Sequence, residues 1–456
     1  MMKKTSAWIA MLLVLPFLSG CSLSGPRENA LYTYAKIDTR KSEHLTLYDS
    51  PYTLYLKNTD STYTLFIFAS PVQFSEDGGT YSLIDSALIR SSREGAAFEN
   101  KANAVKAYFP DKADGVFRIE RGGRFLELRF RDGDLPAEPA KKAEISTFAG
   151  EPAEAVLYEQ TGRRIAVYPT RTGFHLEVTW DDAAGAADIP VQLTSSDIVQ
   201  PYGGNGTLVF RKNNQTAAVV THPFCLSPGE ETPQWNIAGG IRVEDPSQGH
   251  FTFILPEDRA RDGRLTALIS FDLYDNKLPD SGAVSAYPDT NAYLSPVSLV
   301  GSHAQWGTGI QYIRFRLQYF CRLDPEDILS ASYHLRVFSG SGLNELGLYK
   351  MQTNWSSTGL TWNTRLSAGE LVTGANPSGT GELVFDLTEF TKGCFDDPTW
   401  MTESKGLLLK AASPEKGYAI CASHDHPLYP PYIRIELRDL PEEIYVRNNI
   451  NEVEPA

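Results

Sequence analysis

Residues 174–180 read Phe-His-Leu-Glu-Val-Thr-Trp, and in this stretch apolar side chains alternate strictly with polar ones. Successive side chains of a β-strand point to opposite faces, so this period of two predicts a strand with one buried face and one face in water. The pattern recurs in Phe-Arg-Ile-Glu at 117–120 and in Leu-Glu-Leu-Arg-Phe at 126–130. The turn residues Gly122 and Gly123 lie between these two stretches and predict a hairpin.

Similar alternation occurs at 313–318 and 433–436, between clusters of Gly, Pro, Asn and Asp, and no long stretch keeps a helical period. Repeated short strands separated by turn residues favour antiparallel sandwiches over a fold of alternating strands and helices. The sequence therefore predicts an all-β protein made of two antiparallel β-sandwich-like domains.

The 456 residues are 42% hydrophobic and 11% aromatic, enough for packed cores, and the net charge is −14. This acidic balance argues against a nucleic-acid partner, because phosphate binding needs a basic surface. Besides Cys21, the cysteines are Cys225, Cys321, Cys394 and Cys421. None has the CxxC spacing of a structural zinc site, so buried thiols and disulfides both stay open.

The amino terminus has the layout of a secretory signal. Lys3 and Lys4 precede an apolar run at 7–17, and Leu-Ser-Gly-Cys follows at 18–21. This ending resembles the lipobox of bacterial lipoproteins, which implies cleavage before Cys21 and diacylation of that residue. We therefore expect a lipid-anchored protein on the extracytoplasmic face of the cell membrane.

Composition shifts along the chain predict six segments. They are a signal peptide (1–20), a lipidated tether (21–30), an N-terminal β-rich domain (31–275), a linker (276–284), a second sandwich (285–438) and an acidic tail (439–456).

Seven short stretches of the second sandwich share an order and spacing with a known module. They are Ser-Ala-Tyr (285–287), Tyr-Ile-Arg-Phe-Arg-Leu (312–317), Ala-Ser-Tyr-His-Leu-Arg-Val (331–337), Leu-Thr-Trp-Asn (360–363), Phe-Asp-Leu-Thr (385–388), Gly-Leu-Leu-Leu-Lys (406–410) and Pro-Pro-Tyr-Ile-Arg-Ile (430–435). This series resembles the DNRLRE domain, a β-sandwich of bacterial surface and secreted proteins. Some members of that family are classed as carbohydrate-binding. One departure is a shortened, atypical stretch at 299–308.

The first domain carries a second set of matching stretches. They are Tyr-Ser-Leu-Ile-Asp (81–85), Asn-Lys-Ala-Asn (100–103), Phe-Pro (109–110), Ile-Ala-Val-Tyr (165–168) and Gly-Phe-His-Leu-Glu (173–177). They resemble the β-rich amino-terminal region of wall-associated, RHS-repeat surface proteins.

Candidate catalytic or metal-binding groups are few. His424-Asp425-His426 places two imidazoles two residues apart, but no third ligand is evident, so we predict a solvated loop and no metal. The adjacent acids Asp181-Asp182 and Asp396-Asp397 are predicted to be turn residues, because the carboxylate pairs of glycosidases usually come from separate strands. We therefore expect no enzyme activity and no cofactor.

Aromatic side chains point to binding instead, since sugars stack on flat apolar faces that have polar groups at the edge. Trp306, Tyr349 and Trp355 are the predicted ligand-binding residues. The predicted function is a lipid-anchored surface protein for adhesion or for binding polysaccharide or wall glycan through the second sandwich. One alternative is a structural or assembly protein that docks another secreted protein. Another is a hydrolase with its site at the domain junction.

Overall fold

The computed structural model describes most of the chain between residues 30 and 440. The described residues are 30–46, 50–76, 79–131, 135, 138–147, 152–201, 207–212, 215–227, 234–236, 239–257, 263–273, 280–293, 295–314, 323–377, 379–394, 405–413, 417–426 and 428–440. The predictions for the signal peptide, for Cys21 and for Asp396-Asp397 lie outside these residues, as does the predicted tail from residue 441.

The chain divides into two units, Met1–Ile37 and Asp38–Ala456. In the first unit the structure describes one short helix, α1 (Ala30–Tyr34). The second unit also contains a short helix, α2 (Thr388–Gly393). Within the described ranges, no helix has the length and apolar character needed to cross a membrane.

Thirty-three strands occur in the described residues. The first three are β1 (Ser42–His44), β2 (Thr53–Asn58) and β3 (Tyr63–Phe68). The next twelve are β4 (Gln73–Phe74), β5 (Ser82–Leu83), β6 (Asp85–Arg90), β7 (Phe98–Ala102), β8 (Lys106–Phe109), β9 (Phe117–Arg121), β10 (Arg124–Phe130), β11 (Lys141–Ser146), β12 (Pro152–Gln160), β13 (Arg163–Pro169), β14 (Gly173–Trp180) and β15 (Ile189–Ser195). Eight more are β16 (Ile198–Pro201), β17 (Leu208–Lys212), β18 (Gln215–Val220), β19 (Phe224–Ser227), β20 (Gln234–Asn236), β21 (Gly240–Asp245), β22 (His250–Ile254) and β23 (Leu265–Asp272). The last ten are β24 (Ser281–Val284), β25 (Val297–His303), β26 (Gly307–Ile313), β27 (Ile328–Ser341), β28 (Leu346–Met351), β29 (Ala368–Ala375), β30 (Gly381–Asp386), β31 (Leu407–Ala411), β32 (Gly417–Ala422) and β33 (Tyr432–Leu437).

Two antiparallel sheets form the first sandwich. One has the strand order β21-β22-β15-β10-β9-β8-β7-β6, and the other has the order β11-β12-β13-β14-β23-β18-β17-β16. A continuous core lies between them, to which Leu128 contributes from the first sheet and Ile165 and Leu176 from the second. Phe117 and Tyr158 cross the gap with ring centroids 5.5 Å apart and edge-to-face geometry. The predicted hairpin is confirmed as β9 and β10.

A third, curled sheet forms the second sandwich. Its order is β1-β2-β3-β33-β27-β32-β25-β26-β31-β28-β29, with β24 paired to β26 and β30 paired to β27. Strand β27 pairs with β33 along its first half and with β32 along its second half. Its core includes Leu65 from β3 together with Leu335, Leu348 and Ile433. The predicted all-β, antiparallel sandwich-like fold is confirmed.

The third sheet draws on both ends of the chain. Strand β3 pairs with β33 over six residue pairs, from Tyr63–Leu437 to Phe68–Tyr432. Residues 42–68, which fall in the predicted N-terminal domain, are thus hydrogen-bonded into the second sandwich. Residues 276–284 are predicted to be a linker, yet Ser281–Val284 forms a buried strand paired with β26.

An apolar contact joins the two sandwiches. Phe224 and Leu268 of the first sandwich share one buried cluster with Val297, Leu299 and Trp306 of the second. Burial of apolar side chains contributes roughly 1.5–3 kcal/mol for each large residue, so this contact stabilises one arrangement of the two sandwiches.

Strand β14 differs from its prediction. Its alternating pattern predicts a wet face, yet all eight residues are buried. Glu177, on that face, pairs with Leu268 of the neighbouring strand β23, and Leu268 belongs to the inter-sandwich cluster. The second sandwich therefore covers the polar face of β14 at this point.

The described cysteines are buried rather than exposed. Cys225, Cys394 and Cys421 are 1%, 5% and 0% exposed, and Cys321 lies outside the described residues. Burial raises the pKa of the free Cys421 thiol to about 12. Asp182 caps the turn at 183–185 by accepting a hydrogen bond from the Ala184 N–H at 3.0 Å, which confirms its predicted turn role.

Gly173→Ala should destabilise the protein. Gly173 pairs with Asp272, and a Cβ atom at this position would overlap the carbonyl oxygen of Phe271. Relief of such an overlap requires a backbone shift, which costs about 1–3 kcal/mol. The midpoint of urea unfolding, followed by tryptophan fluorescence, measures this change.

Gly185→Ala is the matched control, because a Cβ atom there has no neighbour within 4 Å. Its effect should stay within about 0.5 kcal/mol. Equal stabilities of the two variants would contradict the close approach of β14 and β23 at Gly173.

Candidate functional site

The structure places two of the three predicted ligand-binding aromatics in cores. Trp306 is 3% exposed, and its ring stacks on His303 with centroids 4.1 Å apart. Trp355 is 8% exposed, and its Nε1–H donates to the carbonyl oxygen of Lys405 at 2.9 Å. An indole buries a large apolar area at little cost when its single N–H has a partner. Burial of both rings does not support the sugar-stacking role predicted for them.

Tyr349 is more accessible. It is half-buried on β28, where it packs against the buried cluster that contains Met351 and Trp355, and it lies next to Leu371, which is 51% exposed. The Nζ atom of Lys410 lies 4.2 Å from the centroid of the tyrosine ring. Burial raises the pKa of Tyr349, and the nearby Glu345 carboxylate adds to this effect. We call these four residues together with Gly347 the Tyr349 surface.

Strand pairing explains how the Tyr349 surface is assembled. Tyr349 pairs with Leu371 of β29 on one side, and Gly347 pairs with Lys410 of β31 on the other. A Cβ atom on Gly347 would lie only 2.7 Å from Tyr349 Cε2, so the glycine leaves room for the ring against the sheet. Leu348, between them, points into the core of the second sandwich.

This arrangement combines an aromatic ring and an exposed aliphatic side chain with one cation and one anion at the rim. An apolar surface with charged groups at its edge can stack on a sugar ring and bond its hydroxyl groups. Of these residues, only Tyr349 was predicted from the sequence to bind a ligand. Nothing in the sequence indicated that Leu371 and Lys410 lie beside Tyr349, because only strand pairing brings them there.

The His424-Asp425-His426 prediction requires correction. The two histidines are 3% and 1% exposed, so they do not lie in a solvated loop. They line a polar cavity at the junction of the two sandwiches together with His175 of β14 and Asp272 of β23. The space available to the centre of a water molecule is about 10 Å³, which is room for one water and too small for a sugar.

Hydrogen bonds from the backbone define the protonation state of the His426 ring. Its Nδ1 atom accepts hydrogen bonds from the N–H groups of Leu428 and Tyr429, at 3.3 and 3.1 Å. The ring is therefore neutral with its proton on Nε2. That Nε2 atom is buried and has no hydrogen-bond partner among the described residues. Arg171 donates to the His426 carbonyl oxygen at 3.0 Å.

The electrostatics of the cavity favour a neutral imidazole. Burial holds the pKa of His426 well below its ordinary value, and electrostatic interactions with Arg171, His175 and Arg336 lower the pKa further. In the described part of the chain, no group of three or more His, Cys, Asp or Glu side chains is arranged to hold a metal ion. His426 is therefore a neutral group in a polar cavity that Arg171 and Asp272 also line.

Acid should destabilise the protein through His426. The unfolded chain binds a proton at this residue near the ordinary pKa of 6.5, whereas the folded protein resists it. The contribution of this histidine to the free energy of unfolding is therefore complete above pH 6.5, and it declines as the pH falls below that value. The expected slope is up to about 1.4 kcal/mol per pH unit. Urea unfolding between pH 5 and pH 8 measures it.

His426→Asn keeps an acceptor for the two backbone N–H groups and removes the titration, so its slope should be smaller by one proton. Phe338→Leu is the control, because it removes the ring on which His426 stacks at 4.8 Å. It should lower stability at every pH and leave the slope unchanged. Identical slopes for wild type and His426→Asn would contradict a depressed pKa.

No family model and no curated protein matches this chain. Among solved structures, a Paenibacillus xanthan lyase aligns over 88% of this chain and 39% of its own, with 8% identity and a TM-score of 0.11. This chain therefore spans less than half of that protein, and a likeness at this level carries no argument about fold or function.

Proposed function

We propose that this protein is a lipid-anchored surface protein that binds polysaccharide or cell-wall glycan through the Tyr349 surface of the second sandwich. One observation carries the proposal. Of the three aromatics predicted to bind ligand, Tyr349 is the one that stays accessible, beside a leucine that is 51% exposed. The resemblance of the second sandwich to DNRLRE domains, some of which are classed as carbohydrate-binding, is consistent with it.

The chemistry of the Tyr349 surface suits a chain of sugars. The tyrosine ring and Leu371 offer apolar area to the C–H groups of a sugar ring. Lys410 and Glu345 can donate to and accept from its hydroxyl groups. Leu371 and Glu345 are exposed, so a polymer can reach the site from the solvent.

The scaffold favours binding by limiting the entropy lost on association. Strand β28 is hydrogen-bonded on both edges, to β29 and to β31. Leu346 and Leu348, on its opposite face, are fully buried in the second core. A site held in this way needs little ordering when a ligand arrives, and this preserves affinity.

One observation supports the alternative function, which is docking of another secreted protein. Strand β29 ends the strand order of the third sheet and carries the exposed Leu371. A terminal strand can accept a strand from a partner protein through its backbone groups. Binding of a protein there, and of no glycan, would favour this alternative.

Anchoring is proposed from the sequence of the amino terminus. Lys3, Lys4, the apolar run at 7–17 and Leu-Ser-Gly-Cys at 18–21 support export followed by acylation of Cys21. One acyl chain gives only marginal membrane binding, whereas two give a stable anchor. The second unit would then be presented outside the membrane.

Tyr349→Ala should weaken glycan binding by at least about tenfold, since it removes the aromatic face and exposes a polar sheet surface. Gly347→Ala should also weaken binding, because its new Cβ atom displaces the ring. Affinity electrophoresis in gels that contain wall polysaccharides, with glycan arrays for the ligand class, measures the change.

Tyr108→Ala is the matched control. This half-buried tyrosine of the first sandwich also lies beneath a cation, since Arg93 Cζ is 4.6 Å from its ring centroid. Its loss should leave glycan binding intact. If the polysaccharide gel still slows the Tyr349→Ala protein, or slows neither Tyr349→Ala nor Tyr108→Ala, a site at Tyr349 is contradicted.

Cys21→Ala should release the protein from membranes, because it removes the residue that carries the lipid. Fractionation and metabolic labelling with a radioactive fatty acid measure the change. Ser22→Ala, at the next position, is the control and should stay membrane-bound and labelled. A Cys21→Ala protein that still sediments with membranes would show that something other than acylation holds it.

A further inference from the structure

Three polar side chains form a chain of hydrogen bonds on the face of β27 opposite to the core of the second sandwich. Ser332 Oγ lies 2.9 Å from His334 Nε2, and His334 Nδ1 lies 2.9 Å from Glu382 Oε1. The hydroxyl group of Tyr432 donates to the same Glu382 oxygen at 3.0 Å. The order of contacts is therefore hydroxyl, imidazole and carboxylate, with each imidazole nitrogen bonded to one partner.

Sheet geometry produces this order. Ser332 and His334 are two residues apart on β27, so their side chains point to the same face. On the neighbouring strand β30, Val384 pairs with His334, and Glu382 pairs with Arg336. Glu382 is thus diagonal to His334, on the side away from Ser332, within reach of the second ring nitrogen.

We propose that Ser332, His334 and Glu382 form a catalytic triad that hydrolyses a carboxylic ester, an activity in addition to glycan binding. A serine hydrolase needs a hydroxyl bonded to a histidine, and a carboxylate that orients the other ring nitrogen. The same contacts, through the same two ring nitrogens, are present here. Tyr432 positions the carboxylate in turn.

The nucleophile is more exposed than the base and the carboxylate, as a serine hydrolase requires. The side chains of His334 and Glu382 are 11% and 17% exposed, so the base and its carboxylate are shielded from water. Ser332 is half-buried, and the neighbouring Val384 is 45% exposed. The nucleophile therefore lies at the open end of the chain of hydrogen bonds.

The reaction proceeds in two balanced steps. Ser332 Oγ forms a bond to the ester carbonyl carbon while its proton passes to His334 Nε2. The bond to the alcohol oxygen then breaks, and that proton leaves with the alcohol. In the second step, water attacks the acyl-serine and gives a proton to His334. The acid departs, and the proton returns to Ser332 Oγ.

The surroundings indicate the class of ester. Arg434 is the direct cross-strand partner of Ser332, and its side chain is 42% exposed. Its guanidinium group is bonded to Glu436 at 2.6 and 2.7 Å, and it is the positively charged side chain on the strand next to the nucleophile. Val384, which is 45% exposed, offers a small apolar contact. These features suit a short acyl group carried on an exposed hydroxyl of a larger molecule.

A fluorophosphonate probe tests the proposal on the folded protein. An activated serine displaces fluoride and forms a stable bond to phosphorus, while its proton passes to the histidine. We expect one adduct on the intact protein, and peptide mass spectrometry should locate it at Ser332. An adduct only at other residues, or no adduct, would overturn the proposal and show that the three residues form a structural network.

Variants test the roles separately with p-nitrophenyl acetate as substrate. Ser332→Ala and His334→Gln should each lower kcat by at least about 100-fold. Glu382→Gln should lower kcat with little change in KM, and Glu382→Asp should restore part of it, because Glu382 positions the base. Ser330→Ala, at an exposed serine of the same strand, is the control and should keep wild-type activity.

Circular dichroism and melting curves establish that each variant is folded. Hydrolysis in folded Ser332→Ala at the wild-type rate would overturn the triad even if glycan binding persists. Loss of glycan binding in Tyr349→Ala with normal ester hydrolysis would separate the two activities. These measurements therefore test the proposal for the Tyr349 surface and the proposal for the triad independently.

Discussion

Strand β14 contains eight residues, and every one of them is buried although His175, Glu177 and Thr179 are polar. Polar groups without hydrogen bonds cost free energy inside a protein, so this face has to find partners. Glu177 accepts a hydrogen bond from the Tyr168 hydroxyl at 2.7 Å, and His175 Nδ1 lies 3.4 Å from the same oxygen. The apolar contact that covers this face sets how the two sandwiches meet, and the histidine-lined cavity follows from it.

The two proposed sites lie on strands of the second sandwich. Tyr349 and Ser332 lie on β28 and β27, and the opposite faces of both strands reach the same core through Leu348, Tyr333 and Leu335. Side chains on hydrogen-bonded, well-packed strands keep their positions better than side chains on loops. Binding and ester hydrolysis are therefore proposed for two rigid surfaces of one sandwich, each with its own residues.

Aromatic and imidazole rings show how one residue type serves different roles here. Trp355 is buried with its N–H bonded to the Lys405 carbonyl oxygen, whereas Tyr349 is half-buried beside Gly347, which leaves space for its ring. His426 is neutral in a cavity with cationic neighbours, and His334 is bonded at both nitrogens. Local partners decide each role, and residue identity does not.

The sequence alone determined the all-β fold, because the period of two at 174–180 and in the 117–130 hairpin is a local property of strands. It also pointed to Tyr349, and it contained Ser332 and His334 two residues apart. Tertiary structure decided that both faces of β14 are buried, that the two histidines at 424 and 426 face a cavity, and that Glu382 completes the triad. These outcomes depend on which strands and sheets become neighbours, and contacts between residues far apart in the chain leave no periodic trace in the sequence.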